Sequence, residues 1–395
     1  MTPIDRKQRQ RDLLLNFAHL LDHLFMLIFA TAAALSLTRE WGMAYKDLLP
    51  YAIGGAMAFG GGSIPAGWLA DRWSRHGTMV LFFIGIGLSA IATSFANSPM
   101  QIAIGLTAIG LFAAIYHPVG IAMLVAKTKT LGKTLGVNGV WGNLGLAFAA
   151  LITGAVIDWW NWRAAFWIPG LVSIAAGIWF WTLWPADEPK PTGKKVIPAG
   201  IDRRTMMRVF FVMLIAVVFN SIIFNSATIS MPKVFDERLG ALTNTALGIG
   251  MLVCFTYVIA AMAQLMVGWM IDRYPIRPVF IGIVAMQVPL LFLAANASDW
   301  ALLIFAVGMM FAVFGQIPIN DAMVTRYTAE EWRARAFGVR YVVSFTAAAC
   351  AYALIAATQT AGSNGFTTLF TTLSGCAALI LLASFFFPSE KPKPA

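Results

Sequence analysis

Charge is scarce in this chain. Asp, Glu, Lys and Arg make up 12% of its 395 residues, about half the roughly 25% of an ordinary soluble domain. Hydrophobic residues reach 59%, and the mean hydropathy is +0.74. That balance excludes a single water-soluble core and points to the bilayer as solvent. Cysteine is nearly absent. Cys254, Cys350 and Cys376 all fall in apolar runs, which argues against a disulfide frame or a cysteine-built zinc site and reads as small packing residues. No GxxxxGK[ST] phosphate loop occurs, which argues against ATP-driven work. Polar stretches are no longer than a short linker, so an enzyme would need its site inside the membrane.

Long apolar runs dominate what is there. Twelve are near the ~20 residues that a helix needs to cross a bilayer: 13–37, 48–70, 78–97, 99–125, 134–157, 164–184, 207–231, 243–271, 277–296, 299–324, 334–359 and 365–387. They are too long for barrel strands, so they read as helices whose backbone groups are satisfied internally. The charged tract Arg6 to Arg11 leads into a run too long for the core of a signal peptide, and no small-residue cleavage site follows. A cleaved signal is therefore not expected.

Basic residues orient the spans. With the N-terminus inside, Arg39, Lys46, Arg163, Lys233 and Arg238 are the five outside members of the 28 Lys and Arg. Arg340 falls within a span, and the other 22 lie inside. Both termini are therefore expected to be cytoplasmic. The net charge of +10 reads as topology and headgroup contact, and nucleic acid is not an expected partner.

The hydropathy breaks once, at the Pro- and Lys-rich segment 185–206, and the halves on either side repeat. Gly67-Trp68-x-x-Asp71-Arg72 returns as Gly268-Trp269-x-x-Asp272-Arg273, an offset of 201. Pro118, Ala122 and Met123 return as Pro318, Ala322 and Met323, an offset of 200. Gly136-Val137 returns as Gly338-Val339, an offset of 202. The expectation is an all-α membrane protein of twelve transmembrane helices. Residues 1–184 and 207–395 form two six-helix bundles related by pseudo-twofold symmetry, and 185–206 is the cytoplasmic linker. Two such bundles with a site at their interface near mid-membrane are the architecture of an alternating-access transporter.

The charged stretch between spans 2 and 3 has a physical reading of its own. Gly67 lets two helix ends approach closely. Asp71 can face a helix N-terminus, where negative charge is favoured. Arg72 and Arg75 can pair with acids on a facing side. Such contacts would form a cytoplasmic gate, echoed by Gly268, Asp272 and Arg273; the plainer reading is ordinary turn charges obeying the positive-inside rule. The stretch G-x-L-A-D-R-x-x-R resembles the loop signature of the major facilitator superfamily, and with the twelve spans and the linker the resemblance covers the whole chain. A narrower resemblance lies in His19-Leu-Leu-Asp22, Tyr116-His117-Pro118 and Gly142-Asn143-x-Gly145. These are similar to segments of the fosmidomycin-resistance efflux proteins, proton-driven exporters of the bacterial inner membrane. The chain departs from that group at Val119, where an acid is usual, and from the antiporters of the superfamily at Ala149-Ala150, where Gly-Pro is usual.

Polar residues inside the spans are the candidate site, because a charge at mid-bilayer costs roughly 2.5 kcal/mol or more. Asn16, His19, Asp22 and His23 fall within an arc of about 120° on span 1, with Asp22 about 15 Å deep. His117 lies in span 4 and Asn143 in span 5, among glycines that allow close packing; His76 is placed in the loop. Asp with His is a plausible proton-coupling device; a structural polar network is the plainer alternative. In the second half Asp321 and Arg340 are the intramembrane charges, standing where the first half has Ile121 and Asn138. They could pair, or gate; Arg340 could instead hold an anionic substrate or snorkel to the interface. Asn220, Asn225, Gln264, Gln316 and Asn320 are softer candidates. Trp141 and Tyr341 could line a pocket, whereas Trp159, Trp160 and Trp162 read as interface anchors.

The expected function is a secondary active transporter, not an enzyme. It is proton-coupled and moves a small organic molecule, a drug or metabolite and conceivably an anion, across the inner membrane, with efflux favoured by the narrower resemblance. Protons and lipid are the other expected partners; no cofactor is expected, and the chain is expected to be a monomer. The alternative is a carrier of a divalent metal ion or metal chelate using His19, Asp22, His23 and His117 as ligands. A membrane receptor or intramembrane enzyme is more remote, since neither needs the duplicated signature.

Overall fold

The computed structural model describes residues 3–126, 128, 131–183, 203–327, 330–359 and 364–388. Among them all regular structure is helical, and twelve long helices carry it. They are α1 Pro3–Ala32, α2 Ile53–Arg72, α3 Arg75–Ser94, α4 Pro99–Ala113, α5 Leu131–Trp159, α6 Ala164–Thr182, α7 Arg203–Arg238, α8 Ala246–Arg273, α9 Ile276–Ala295, α10 Asp299–Tyr327, α11 Glu330–Gln359 and α12 Gly365–Ser384. Most of the expected linker 185–206 lies outside the described residues, as do the side chains of Gly338, Val339 and Tyr341.

Eleven of these helices are long and apolar enough to cross a membrane. The twelfth, α2, is a full 20 residues but is diluted by Gly54, Gly55, Gly60, Gly61, Gly62 and Gly67, which are weakly hydropathic. Those glycines do steric work. A Cβ on Gly55 would lie 2.7 Å from the Leu106 carbonyl oxygen of α4, and one on Gly62 would lie 2.8 Å from Cβ of Ala114. Apolar lipid gives helices no hydrophobic reason to associate, so small residues that let backbones touch supply the packing. Large apolar side chains meanwhile face outward, as at Ile64 (69% exposed), Ile104 (65%) and Ile304 (65%), an exposure that suits lipid rather than water.

Two helices depart from the runs read in the sequence. The charged tract before span 1 does not end the helix: α1 begins at Pro3, and Gln8 Nε2 donates to Asp12 Oδ1 one turn on at 2.7 Å. At its far end α1 widens into a π turn at Ala33–Leu37. Helix α4 breaks off at Ala113, passes through a second π turn at Tyr116–Gly120 and resumes as Ile121–Val125. Pro118 explains that second one, because it has no N–H to continue the ladder.

The chain forms two compact units. One holds the described residues of 1–191 with Thr245–Cys254, the other those of 192–244 with 255–395. In the first, α1 lies along α5, α2 along α4, and α3 along both α6 and α4. Ser74 and Ser98 cap α3 and α4 through Gly77 N–H (2.9 Å) and Gln101 N–H (3.3 Å). The start of α8 belongs to this unit, and Asp158 of α5 caps it by accepting from Leu247 N–H at 2.7 Å and Ala246 N–H at 3.2 Å, a favourable place for negative charge. In the second unit α7 packs on α10, α11 and α12, and α9 on α10 and α12.

Candidate functional site

The polar stripe read on span 1 becomes one wall of a buried cluster in the first unit. His19 and Asp22 are buried and His23 is half-buried. Opposite them α4 presents Tyr116 and His117 from its π turn, and α5 presents Asn138. Helix α5 can come this close because two of its positions lack side chains. A Cβ on Gly145 would collide with the Leu20 carbonyl oxygen, and one on Gly142 would lie 2.6 Å from the His19 ring.

Hydrogen bonds fix much of the cluster. His19 Nδ1 lies 2.7 Å from the Asn138 carbonyl oxygen. A carbonyl only accepts, so Nδ1 carries the hydrogen, and in a neutral ring Nε2 then holds a lone pair. That Nε2 faces His23 Nε2 at 3.1 Å, so His23 donates the shared proton. Asn138 Nδ2 donates to Asn16 Oδ1 at 3.0 Å and to the Tyr116 hydroxyl at 2.6 Å, and Asn16 Nδ2 donates to the Asp12 carbonyl at 3.0 Å. The Tyr116 ring stacks on His19 at 4.7 Å, and His117 meets both His19 (5.2 Å) and His23 (5.6 Å) edge to face.

Asp22 lies within this cage with no exposed surface, and its Oδ2 is 3.3 Å from His117 Nε2. Among the described residues no group hydrogen-bonds either of its oxygens. A buried carboxylate without donors is costly, so the cluster is rich in acceptors and short of positive charge.

Asn138 was not among the residues singled out in the sequence, yet it joins three helices. Its only sequence signal was the repeat, which sets it at the position of Arg340. Tyr116 appeared there only as part of a motif. Asn143 is buried one residue beyond Gly142.

In the second unit the candidates split. Arg340 is bound to Asp321 as an ion pair, with Arg340 nearly buried at 11% exposure and Asp321 open at 42%. Asn225 Nδ2 donates to the Ser221 and Ser344 carbonyls at 2.8 and 3.3 Å, and the Ser221 hydroxyl donates to Ser344 Oγ at 3.1 Å. These bonds tie α7 to α11. Gln316 Oε1 accepts from Gln287 Nε2 at 2.8 Å inside the packing of α9 and α10. Gln316 therefore works as an internal tie and not as a wall of an open site. Asn220 and Asn320 are buried.

The gate residues are placed differently from expectation. Arg75 pairs with Asp71, four residues back, at 2.9 Å. Arg72 lies over the Trp68 ring at 4.7 Å, and Arg273 over Trp269 at 4.4 Å. The sequence repeat thus extends to a cation–π contact, and the exposed Trp of each copy, not an acid, is what its Arg touches. Close approach does not demand glycine here. A Cβ on Gly67 would lie an ordinary 3.5 Å from Pro118, and one on Gly268 would meet nothing within 4 Å.

Three other readings need correction. Trp159 and Trp160 are exposed at 68% and 66%, as interface anchors are, but Trp162 is fully buried. Its Nε1 donates to Glu40 at 2.7 Å, and Glu40 also holds Arg163 at 3.0 Å. His76 is a buried member of α3 and not a loop residue: its Nε2 donates to the Phe180 carbonyl at 2.9 Å and its ring stacks on Phe180 at 4.3 Å. Cys350 is exposed, while Cys254 and Cys376 are half-buried.

Comparison with known proteins agrees with this architecture. The Major Facilitator Superfamily model matches residues 15–256 and 213–395. The glycerol-3-phosphate transporter of Bacillus subtilis (strain 168) is 34% identical over 115 residues, 27% of this chain and 26% of that protein. The 4-hydroxybenzoate transporter PcaK of Pseudomonas aeruginosa is 26% identical over 147 residues, 36% of this chain and 32% of that protein. The matched stretches thus span a quarter to a third of these relatives. Among solved structures, the inward-facing, unoccupied bacterial homologue of the human lysosomal transporter Spinster aligns with a TM-score of 0.73 at 14% identity, over 98% of this chain and 97% of that one. A D-xylose-proton symporter aligns with a TM-score of 0.72 at 13% identity, over 96% of each. At such identities the likeness carries the fold alone.

Proposed function

The chain belongs to the Major Facilitator Superfamily, and from that premise we propose that it is a proton-coupled carrier of a small organic molecule, working by alternating access in a bacterial inner membrane with both termini cytoplasmic. The observation that carries the coupling is the Asp22–His117 contact of 3.3 Å inside a donor-poor cage. Asp22 takes up the coupling proton, and His117 and His19 relay it, because the carboxylate lies beside the His117 ring nitrogen at 3.3 Å and the His117 ring meets that of His19, within reach of proton transfer after a small movement. Two of the relatives' names, for glycerol 3-phosphate and 4-hydroxybenzoate, point to small organic cargo bearing phosphate or carboxylate, and Arg340, a bidentate donor, is suited to such an anion. Binding would then require Arg340 to exchange Asp321 for cargo. Outward transport rests on the narrower likeness of His19 to Asp22 and Tyr116 to Pro118 to efflux proteins. The Asp71–Arg75 pair and the two Trp–Arg stacks serve as the cytoplasmic gate.

The test uses protein reconstituted in liposomes, with glycerol 3-phosphate and 4-hydroxybenzoate as first probes and a thermal-shift screen to widen the choice, since a ligand of the folded state raises its stability. Asp22→Asn should abolish movement driven by a pH gradient and leave substrate exchange intact. Undiminished pH-driven transport in that variant would sink the coupling role.

A further inference from the structure

We propose that His19, His23 and His117, with the Asp22 carboxylate beside them, form a binding site for one divalent transition-metal ion of the zinc, cobalt or nickel type. Each of the three histidines offers one ring nitrogen, and these atoms lie within 4.8 Å of one another. His19 Nε2 and His23 Nε2 are 3.1 Å apart. Two nitrogens bound to a tetrahedral metal at about 2.0–2.1 Å stand about 3.3 Å apart. Two of the three ligands are therefore already at metal-binding separation, and the third has at most about 1.5 Å to close. The spacing follows from α1, where residues four apart share a face.

Orientation favours a metal as well. His19 donates its outer Nδ1 hydrogen to the Asn138 carbonyl, the arrangement that fixes the tautomer and aim of metal-bound histidines. The inner nitrogen of His19 keeps its lone pair toward His23. A metal would replace the one proton that now joins those rings. Asp22 supplies the negative charge: it is fully buried and no described group hydrogen-bonds its oxygens. Neutral imidazoles with one carboxylate are donors that suit zinc and its neighbours better than calcium or magnesium, which prefer oxygen shells. The fourth histidine, His76, belongs to another place in the unit, where its Nε2 is engaged by Phe180.

This goes beyond the coupling role and does not depend on it, because the binding is read at equilibrium without transport. Full-length protein, purified in detergent without a polyhistidine tag, is titrated with Co²⁺ and then with Zn²⁺. The expected result is one Co²⁺ per chain with the intense visible bands of a tetrahedral ion, displaced by one equivalent of Zn²⁺, and a higher unfolding temperature with Zn²⁺. His23→Gln and His117→Gln should each weaken Zn²⁺ binding about 100-fold or more, at or beyond the loss expected for removing an outer-sphere partner. His23 is half-buried, so its variant is the one whose metal-free unfolding temperature should match wild type. No saturable binding by wild type, a weak octahedral cobalt spectrum, or undiminished affinity in His23→Gln would each overturn the site.

Discussion

The two units answer the same problem, burying polar groups among apolar helices, with different chemistry. The first gathers three histidines, a carboxylate and an amide where α1, α4 and α5 meet. The second ties α7 to α11 with serine and asparagine, ties α9 to α10 with two glutamines, and concentrates charge in Asp321–Arg340. Repeat-related positions show how the difference is built. Asn138 stands at an offset of 202 from Arg340, and Ile121 at 200 from Asp321. A neutral amide at 138 can satisfy a ring and a hydroxyl without importing charge, which leaves Asp22 to be balanced by histidines alone. A guanidinium at 340 needs an acid, and Asp321 supplies it. The first unit sets its carboxylate beside histidine rings, and the second sets its own beside a guanidinium.

The largest expected effect tests that asymmetry directly. Asp22→Asn should lower pH-driven transport at least 100-fold, while Asp321→Asn should leave the response to a pH gradient and instead tighten binding of an anionic substrate, because Arg340 no longer has to give up Asp321. Equal loss of pH response in both variants would mean that the second unit carries protons too.

The next concerns the pair. Arg340→Gln alone leaves Asp321 without its guanidinium, and Asp321→Asn alone takes the carboxylate from a nearly buried Arg340. Removing one partner of a fully buried pair costs about 3–5 kcal/mol; with Asp321 42% exposed solvent screening reduces this to about 1–2 kcal/mol. The double variant should recover part of that loss, and thermal unfolding of all four proteins measures the coupling. Strict additivity would show that the contact contributes nothing.

A third contrast lies within α5. Gly142→Ala puts a methyl group 2.6 Å from the His19 ring and should cost about 1–3 kcal/mol by overpacking, with loss of pH-driven transport as His19 shifts. Gly136→Ala, on the same helix with nothing within 4 Å, should be neutral or slightly stabilising, since alanine favours helix by up to ~1 kcal/mol. Equal unfolding temperatures for the two variants would contradict the packing described at His19.

Much of this was legible in the sequence because it is local. Apolar runs, the constant repeat offset and the stripe from Asn16 to His23 depend on residues a few positions apart or on simple self-similarity. What was missed depends on which helices touch. Asn138 becomes the hub of the cluster only because α5 lies on α1, bringing it to His19 across 119 positions. Trp162 looked like its neighbours Trp159 and Trp160, but Glu40 waits 122 positions away. His76 follows a loop signature, yet Phe180 buries it. Helix α2 was read as a span although its mean hydropathy is low, because a run rich in glycine and lacking charge until Asp71 still suits a packed membrane helix.

The smallest effect on stability is expected at Gly67, and it separates a static from a moving role for the signature. In this structure an alanine methyl there would stand 3.5 Å from Pro118, an ordinary contact, and at Gly268 it would meet nothing. Gly67→Ala and Gly268→Ala should therefore both unfold within about 0.5 kcal/mol of wild type, as surface-like substitutions do. If the signature only obeys the rule that basic residues stay inside, transport should be unchanged in both. If it is a gate whose helix ends close more tightly in another state, the methyl group at 67 must be accommodated there, and transport should fall several-fold without any change in unfolding temperature. Comparing the two glycines also tells whether both copies move: a deficit at 67 with none at 268 would assign the closing contact to the first unit, where Arg75 already grips Asp71 at 2.9 Å.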